Sequence, residues 1–464
     1  MLPLRTRLLY GASRMGSEAL GRSQGLWLLY YYAPPSDAHL PTLLPSLVVG
    51  VLFTVGGIVS GLDDAIVGWF SDRTRSRWGR RIPFIVIGTP LWSVFFLLIF
   101  VPPASAGHAV TAVYFFLVFL ALSLAGSIVV GPYEALLPEI AASSAERVGV
   151  QAVKVYLGVL GAGIGLVGSY LLVHHVGYKA MAVTFAAFAA ICQYLAIGGV
   201  WSRARQSRIP AQIGFREGLR TTFRNRGFRV LLPTIVLFAL AVQLLQTDTL
   251  YYAHAVVGRH SWLSPTLILV AVFVSAVVCV PVFIRLASRT TKRRAYGISM
   301  LAAAATFPLL TIAGVIPGIP ASIQILVAVA LIGAPLGAHF LFPVPLTADV
   351  IDDDSRTTKQ RREGTYLGSS SFVERTATSL APLLVVLVRL FGDTRGHTLG
   401  VRLVGVVGGL MILAAYLVFR HYKIPDQVPT TVRPQSDGAR GTSAAPRSAP
   451  HRLRARKPQP ATHH

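Results

Sequence analysis

Apolar residues run along this chain in long, nearly uninterrupted stretches, and short polar segments separate them. Twelve stretches reach the ~20 residues that an α-helix needs to cross a hydrocarbon layer. They lie at about 8–33, 46–70, 82–101, 110–133, 149–173, 179–201, 228–254, 265–286, 295–315, 322–346, 364–390 and 399–420. The first is the weakest by hydropathy, because Arg14, Glu18 and Arg22 interrupt it. The pattern predicts an all-α membrane protein of twelve transmembrane helices.

The polar segments alternate in kind. Five arginines fall between Arg73 and Arg81, eight between Arg203 and Arg229, and five basic residues between Arg285 and Arg294. A further group is Arg356, Lys359, Arg361 and Arg362. The intervening segments Pro34–Pro45, Pro102–Ala109 and Pro317–Ala321 hold no Lys or Arg; Lys179, Arg259 and Arg395 are the clear exceptions. Positive loops stay in the cytoplasm. The asymmetry therefore predicts a multi-pass protein of the plasma (cytoplasmic) membrane with both termini cytoplasmic, in keeping with an even number of spans.

The long basic segment divides the chain into halves of six spans. The expected organisation is a first bundle at 1–201, a cytoplasmic linker at 202–227, a second bundle at 228–422 and a disordered basic tail at 423–464, where Pro, Arg, Ser and Ala replace apolar periodicity. A basic loop follows the second span of each half, Asp72–Arg81 and Ser288–Arg294. That is a faint internal repeat of the kind transporters carry.

Composition agrees. Of 464 residues 53% are hydrophobic and 13% charged, with mean hydropathy +0.58, whereas soluble domains carry about a quarter charged residues. The net charge of +24 raises nucleic acid as a partner. Arginines dispersed between apolar spans point instead to anionic lipid headgroups. The expected partners are membrane lipid and a small-molecule substrate, with no nucleic acid, and the chain is read as a monomer. Cys192 and Cys279 lie in separate spans and make neither a disulfide framework nor a zinc spacing. The opening MLPLRTRLLYGASR is too short an apolar run for a signal peptide.

Charges inside apolar sequence are the candidate chemistry, because ionisable groups at membrane depth are costly and mark substrate or ion paths. Ser60, Asp64 and Gly68 share one helical face, and Asp63 points about 100° away. The bland alternative pairs both acids with Arg73 or Arg77. Arg14, Glu18 and Arg22 recur every fourth residue and line one face of the first span, either as a binding surface or as a ladder that neutralises itself. Lys154 is either part of a site or a lysine snorkelling to the interface. Glu374 and Arg375 lie inside the eleventh span; an arginine cannot shed its proton, so Arg375 needs a counter-charge, for which Asp64 or Asp63 is the better candidate. Asp248 in the seventh span faces either the same cavity or the outer mouth. The run Tyr30–Tyr31–Tyr32 beside Pro34 reads first as an interfacial belt.

Four stretches resemble the major facilitator superfamily, and most closely its glycoside–pentoside–hexuronide:cation symporter branch: LLYGASRMGSEAL (8–20), DDAIVGWFSDRTRSRWGRRIPFIVIGTP (63–90), PYEALLPEIAASSAERV (132–148) followed by Lys154, and ADVIDDDSRTTKQRREGTYLGSSSFVERTA (348–377). The resemblance implies two pseudo-symmetric six-helix bundles with a substrate site between them. It places a cation site on the second span, where Asp64 falls on one of two family carboxylates and Ser60 replaces the other; Asp63 is the expected helper. Losing one acid weakens the case for Na+, and a single desolvated carboxylate can carry H+, so both coupling ions stay open and no other cofactor is expected. Glu18 falls on a sugar-binding aspartate, and Lys154 lies one residue from a family arginine near the sugar. Arg22, Tyr133 and Glu134 complete the expected substrate set. Val130 and Glu134 replace a second sugar-binding acid and an aromatic ligand, which makes a galactoside doubtful and suggests a more polar, anionic or zwitterionic solute. Arg375 occupies the place of a lysine tied to the cation site, with Glu374 and Asp248 as further charges of the second half. A cytoplasmic gate is implied by Asp72, Arg73, Arg77, Arg80 and Arg81, with Gly68–Asp72 as the G-x-x-x-D core, and by the D-x-x-D…RxE pattern of Asp349, Asp352, Arg361 and Glu363.

The expected function is cation-coupled symport of a sugar, glycoside or other polar solute by alternating access. A lysolipid or other amphiphile is the alternative within transport, and a non-transporting receptor or scaffold the alternative outside it. An enzyme is not expected: GRSQG (21–25) and GIGLVG (163–168) match nucleophile and dinucleotide patterns but lie within helices without the strands those motifs need. The glycines at 161 and 165, and at 405 and 409, read as close-packing positions.

Overall fold

The computed structural model describes residues 2–424 except 36–37, 39, 62, 64–65, 68–69, 72–73, 75, 142–143, 205–221, 258–262, 264 and 359–362. All but the first two residues of the expected tail, and most of the expected linker, fall outside the described residues. Apart from one isolated bridge between Thr394 and His397, the regular structure described is helical.

Each predicted run has a helical counterpart. In chain order these are α1 (Leu4–Tyr32), α2 (Ser46–Ser60), α3 (Ile82–Leu98), α4 (His108–Ile140) and α5 (Ser144–Gly163, a π-helical turn Ile164–Gly168, then Ser169–His175). Then follow α6 (Tyr178–Ala204), α7 (Arg226–Tyr252 with a π-helical turn Ala253–Val257), α8 (Pro265–Arg289) and α9 (Lys292–Thr306 and Leu309–Ile312). The last are α10 (Ala321–Leu341 and Pro343–Thr358), α11 (Glu363–Thr378 and Ala381–Arg389) and α12 (Leu399–Phe419). Nine helices among the described residues are long and apolar enough to cross a membrane, and α2 and α3 are shorter apolar helices. The weak first run still forms a 29-residue helix, because its charges find partners inside the protein rather than in lipid.

Three runs expected to be continuous are broken, and proline explains each. Pro308 restarts α9 after Thr306, Pro343 opens the second piece of α10, and Pro382 sits in the first turn of the second piece of α11. Proline lacks the N–H that a helix interior requires, and it suits a first turn. α10 also runs on to Thr358, beyond its apolar stretch.

The halves repeat one packing scheme. α1 packs on α5 and α6 as α7 packs on α11 and α12; α2–α4, α3–α4 and α3–α6 are echoed by α8–α10, α9–α10 and α9–α12. Between the halves α1 meets α7, α2 meets α11, and α5 meets α8. Several of these contacts lie toward the arginine-poor end, where α1, α7 and α11 finish and α2 and α8 begin. There the Tyr251 hydroxyl donates to the Ala33 carbonyl at 2.8 Å, and Thr54 donates to the Ser379 carbonyl at 3.4 Å. A methyl group on Gly50 would lie 3.0 Å from the Leu383 Cα.

Candidate functional site

α1 carries the charged ladder, and glycines on α5 make room for it. A methyl on Gly161 would lie 2.1 Å from the Met15 carbonyl oxygen, and one on Gly165 2.4 Å from that of Ala19. Only a residue without Cβ lets these backbones approach so closely. Gly405 and Gly409 play the same part on α12, against the Phe307 and Ala304 carbonyls.

On this face Arg14 Nη2 lies 2.6 Å from Glu18 Oε1, and Arg22 Nε donates to Glu18 Oε2 at 3.2 Å. The ladder does neutralise itself, yet both ends leave the helix. Arg14 Nη1 comes within 3.8 Å of Glu134 on α4. Arg22 Nη1 donates to Gln246 Oε1 on α7 at 3.0 Å, so the ladder reaches the other half of the molecule. Glu374 on α11 and His339 on α10 feel the Arg22 charge as well. The His339 ring stacks on Phe238, with centroids 4.2 Å apart, and its Nδ1 meets the Tyr296 hydroxyl at 3.3 Å.

Lys154 does not snorkel. Its side chain is 2% exposed and its Nζ donates to Glu134 Oε2 at 2.5 Å. Burying an ammonium costs several kcal/mol unless it is paired. Here one carboxylate and two aromatic faces offset that cost, for Nζ lies 4.9 Å from the Tyr133 ring and 5.7 Å from the Tyr10 ring. The two rings hold each other: each hydroxyl donates to the other residue's carbonyl, at 2.6 and 2.8 Å. Tyr133, one of the expected substrate residues, thus has its hydroxyl bound to the Tyr10 carbonyl and its ring on a buried lysine. Arg14 and Glu134, both 41% exposed, are the open face of the cluster.

The remaining expected residues are placed as follows. Ser60 is buried and its hydroxyl donates to the Gly57 carbonyl of its own helix. Asp63 is helical and half-buried; Asp64 lies outside the described residues. Arg375 reaches across to α4, where Nη1 donates to Ser127 at 3.2 Å and Nη2 to Ser123 at 2.9 Å. Asp248 is 1% exposed, and the charges acting on it are Arg389 and Asp393. It belongs to the arginine-poor mouth and not to the Arg375 contact. The tyrosine run also departs from expectation. Tyr32 is fully buried and bonds the Ile99 carbonyl, Tyr31 bonds that of Phe100, and Tyr30 packs 5.0 Å from Tyr251, so the run faces protein because α3, α6 and α7 close over it.

At the arginine-rich end Asp349 pairs with Lys292 at 2.5 Å, tying α10 to α9. Arg77 lies 6.0 Å from the Trp78 ring, itself 6.0 Å from Trp201. Arg80 and Arg81 are half-buried at the start of α3, and Asp352 accepts from Ser355 through its backbone. Asp72, Arg73 and Arg361 lie outside the described residues, and Glu363 opens α11. Among the described residues no three His, Cys, Asp or Glu side chains converge as metal ligands. Sequence reasoning passed over Gln246 and His339. An amide in the apolar run LLQTDT was the available signal for the first; His339 in an apolar helix gave none.

The chain is 24% identical to the isoprimeverose transporter of Lactiplantibacillus pentosus over 54% of this chain and 53% of that one. It is 23% identical to the sodium-dependent lysophosphatidylcholine symporter 1 of Gallus gallus, over 76% and 71%. The chain spans about half the length of symporters such as the first. The crystal structure of the nucleoside transporter NupG, in a point-mutant form, superposes with a TM-score of 0.64 at 14% identity, covering 90% of this chain and 99% of that one. That likeness shows the fold, the major facilitator fold of two pseudo-symmetric six-helix bundles. The profile of the MFS/sugar transport protein family matches residues 9–419, and this multi-pass membrane protein belongs to that family.

Proposed function

We propose that the chain is a secondary active symporter that couples Na+ or H+ to the movement of a polar solute, a sugar or glycoside in the first instance, by alternating access. One observation carries this reading. A continuous polar path, Lys154–Glu134–Arg14–Glu18–Arg22–Gln246, runs from α5 through α4 and α1 to α7, so a chain of paired charges in the first half ends on a buried amide of the second. Retaining such charges in an apolar protein is costly and serves transport. The two bundles, 1–201 and 228–422, rock about this path, with 202–227 as the link. The arginine-rich end lies in the cytoplasm, so the contacts at Tyr251, Thr54 and Gly50 close the outer side. Arg14 favours a solute with a negative group, because its partly exposed guanidinium has five donors and Glu18 takes one of them in a short contact. Coupling runs through Asp64, aided by Asp63 and Ser60.

A lysolipid or similar amphiphile is the second reading, supported by the longer match to the lysophosphatidylcholine symporter. Uptake into proteoliposomes separates the two, using labelled neutral glycosides, hexuronates and lysophospholipids with Na+ and H+ gradients imposed separately. One class should accumulate under one gradient, and Asp64→Asn should abolish that accumulation. No accumulation of any class under either gradient would overturn the symport reading.

A further inference from the structure

At the arginine-poor end of the second half lies a charge cluster that the proposed transport path does not use. Asp248 on α7 is 1% exposed, and its Oδ1 has no hydrogen-bond partner among the described residues. Arg389, closing α11, is 5% exposed; it pairs with Asp393, and its Nε and Nη1 have no partner among the described residues. The guanidinium carbon sits 3.4 Å from the centre of the Tyr251 ring. Tyr251 in turn joins the two halves, through its hydroxyl on the Ala33 carbonyl at 2.8 Å and its ring 5.0 Å from Tyr30. Further groups beside this region are Tyr252, whose hydroxyl donates to Leu310, and Arg402 on α12, which is held by the Thr311 and Ala313 carbonyls; His254 and Arg395 lie on the adjoining segments.

The charges do not balance in this arrangement. Arginine keeps its proton, and of the two charges acting on Asp248 one is Arg389 and the other a second aspartate, Asp393. Arg389 makes its ion pair with Asp393, Arg402 is held by carbonyls, and Asp248 is left buried with no ion pair among the described residues. A neutral carboxyl is far cheaper to bury than a carboxylate.

We propose that Asp248 is a proton-binding site that works the latch at the arginine-poor end. While Arg389 rests on Asp393 and Tyr251, Asp248 is the neutral carboxyl and the latch is shut. When the carboxyl O–H bond breaks, the proton leaves to water at that end. The carboxylate then draws the unpartnered Arg389 nitrogens, the guanidinium leaves the Tyr251 ring, and Tyr251 releases Ala33. The proton involved is separate from the coupling ion at α2, and the site takes nothing larger than H+.

The test reads the latch directly and needs no transported solute, so it stands or falls apart from the symport reading. In the full chain, with Cys192→Ala and Cys279→Ala, the reporter is Ala33→Cys, 1% exposed when the latch is shut. The control is Val176→Cys at the same end, 66% exposed. Alkylation by a membrane-impermeant maleimide is followed from about pH 5.5 to about pH 8.5, and the reporter rate is divided by the control rate to remove thiol ionisation. The ratio should rise about tenfold across this range, as ionisation of one group allows. Asp248→Asn should hold it low throughout, and Asp248→Glu should restore the rise at a displaced midpoint. A ratio independent of pH with Asp248 present, or an Asn variant that responds as its parent does, overturns the proposal. Should the Asn variant not reach the membrane, a Glu variant without pH response overturns it equally.

Discussion

Lys154 and Glu134 show how an ionic contact in an apolar protein is weighed residue by residue. The two partners are unequal, for Lys154 is 2% exposed and Glu134 41%. The carboxylate can turn to water, while the ammonium cannot. Removing the acid therefore costs more than removing the base, because Glu134→Gln strands a buried charge whereas Lys154→Met deletes it. Exposure of the acid and the aromatic faces of Tyr10 and Tyr133 reduce the loss, so Glu134→Gln should destabilise by about 1–3 kcal/mol. Lys154→Met should cost less, and the double variant should recover most of the difference. Thermal unfolding of the four purified proteins checks the cycle; equal losses for the two single variants would mean that Lys154 finds water after all. The pair also bounds what local reading reaches. Both residues were legible as site candidates, Lys154 because it interrupts apolar sequence and Glu134 through the family resemblance, in which it replaces an aromatic ligand. That they meet each other was not legible, because twenty residues and a change of helix separate them.

At the scale of elements, the helices follow from apolar length, and their spacing follows from glycine. Gly161 and Gly158 lie on the α5 face toward α1, but they meet different things. A methyl at 161 would press on the rigid Met15 carbonyl at 2.1 Å, whereas one at 158 meets the flexible Arg14 Cγ at 3.1 Å. Gly161→Ala should thus push α1 from α5 and lower stability by about 1–3 kcal/mol, the usual range for overpacking, whereas Gly158→Ala should be nearly neutral. Melting temperatures of the two variants in one detergent decide; indistinguishable values would show that the glycine face does not set the spacing. The sequence already carried Gly161, with Gly165, as a four-residue spacing. It carried the prolines at 308, 343 and 382 too, but whether a proline kinks a helix or ends one depends on which neighbours satisfy the freed carbonyls. Other prolines, those at 90, 233 and 281 among them, sit inside unbroken helices, and Pro335 sits inside the first piece of α10. The cluster of Asp248, Arg389 and Asp393 lay beyond reach for another reason: its members come from α7 and the end of α11, and no periodicity relates them.

The whole molecule is held by a few contacts between halves that otherwise repeat the same internal packing, and their position makes a mechanical claim. α2 and α11 touch closely near the arginine-poor end, so this end has to part if a solute is to enter from that side. Gly50 and Leu383 offer the test, since a Cβ on Gly50 would stand 3.0 Å from the Leu383 Cα, within reach of the ~3.5–4.5 Å Cβ separation of a disulfide. In the background without Cys192 and Cys279, Gly50→Cys with Leu383→Cys should cross-link under mild oxidation. Uptake of whichever solute the vesicle experiments identify should then fall to background and return on reduction, while each single cysteine stays active. Unimpaired uptake by the fully cross-linked protein would mean that α2 and α11 never separate, and a rocking pair of bundles would have to give way to a path running elsewhere.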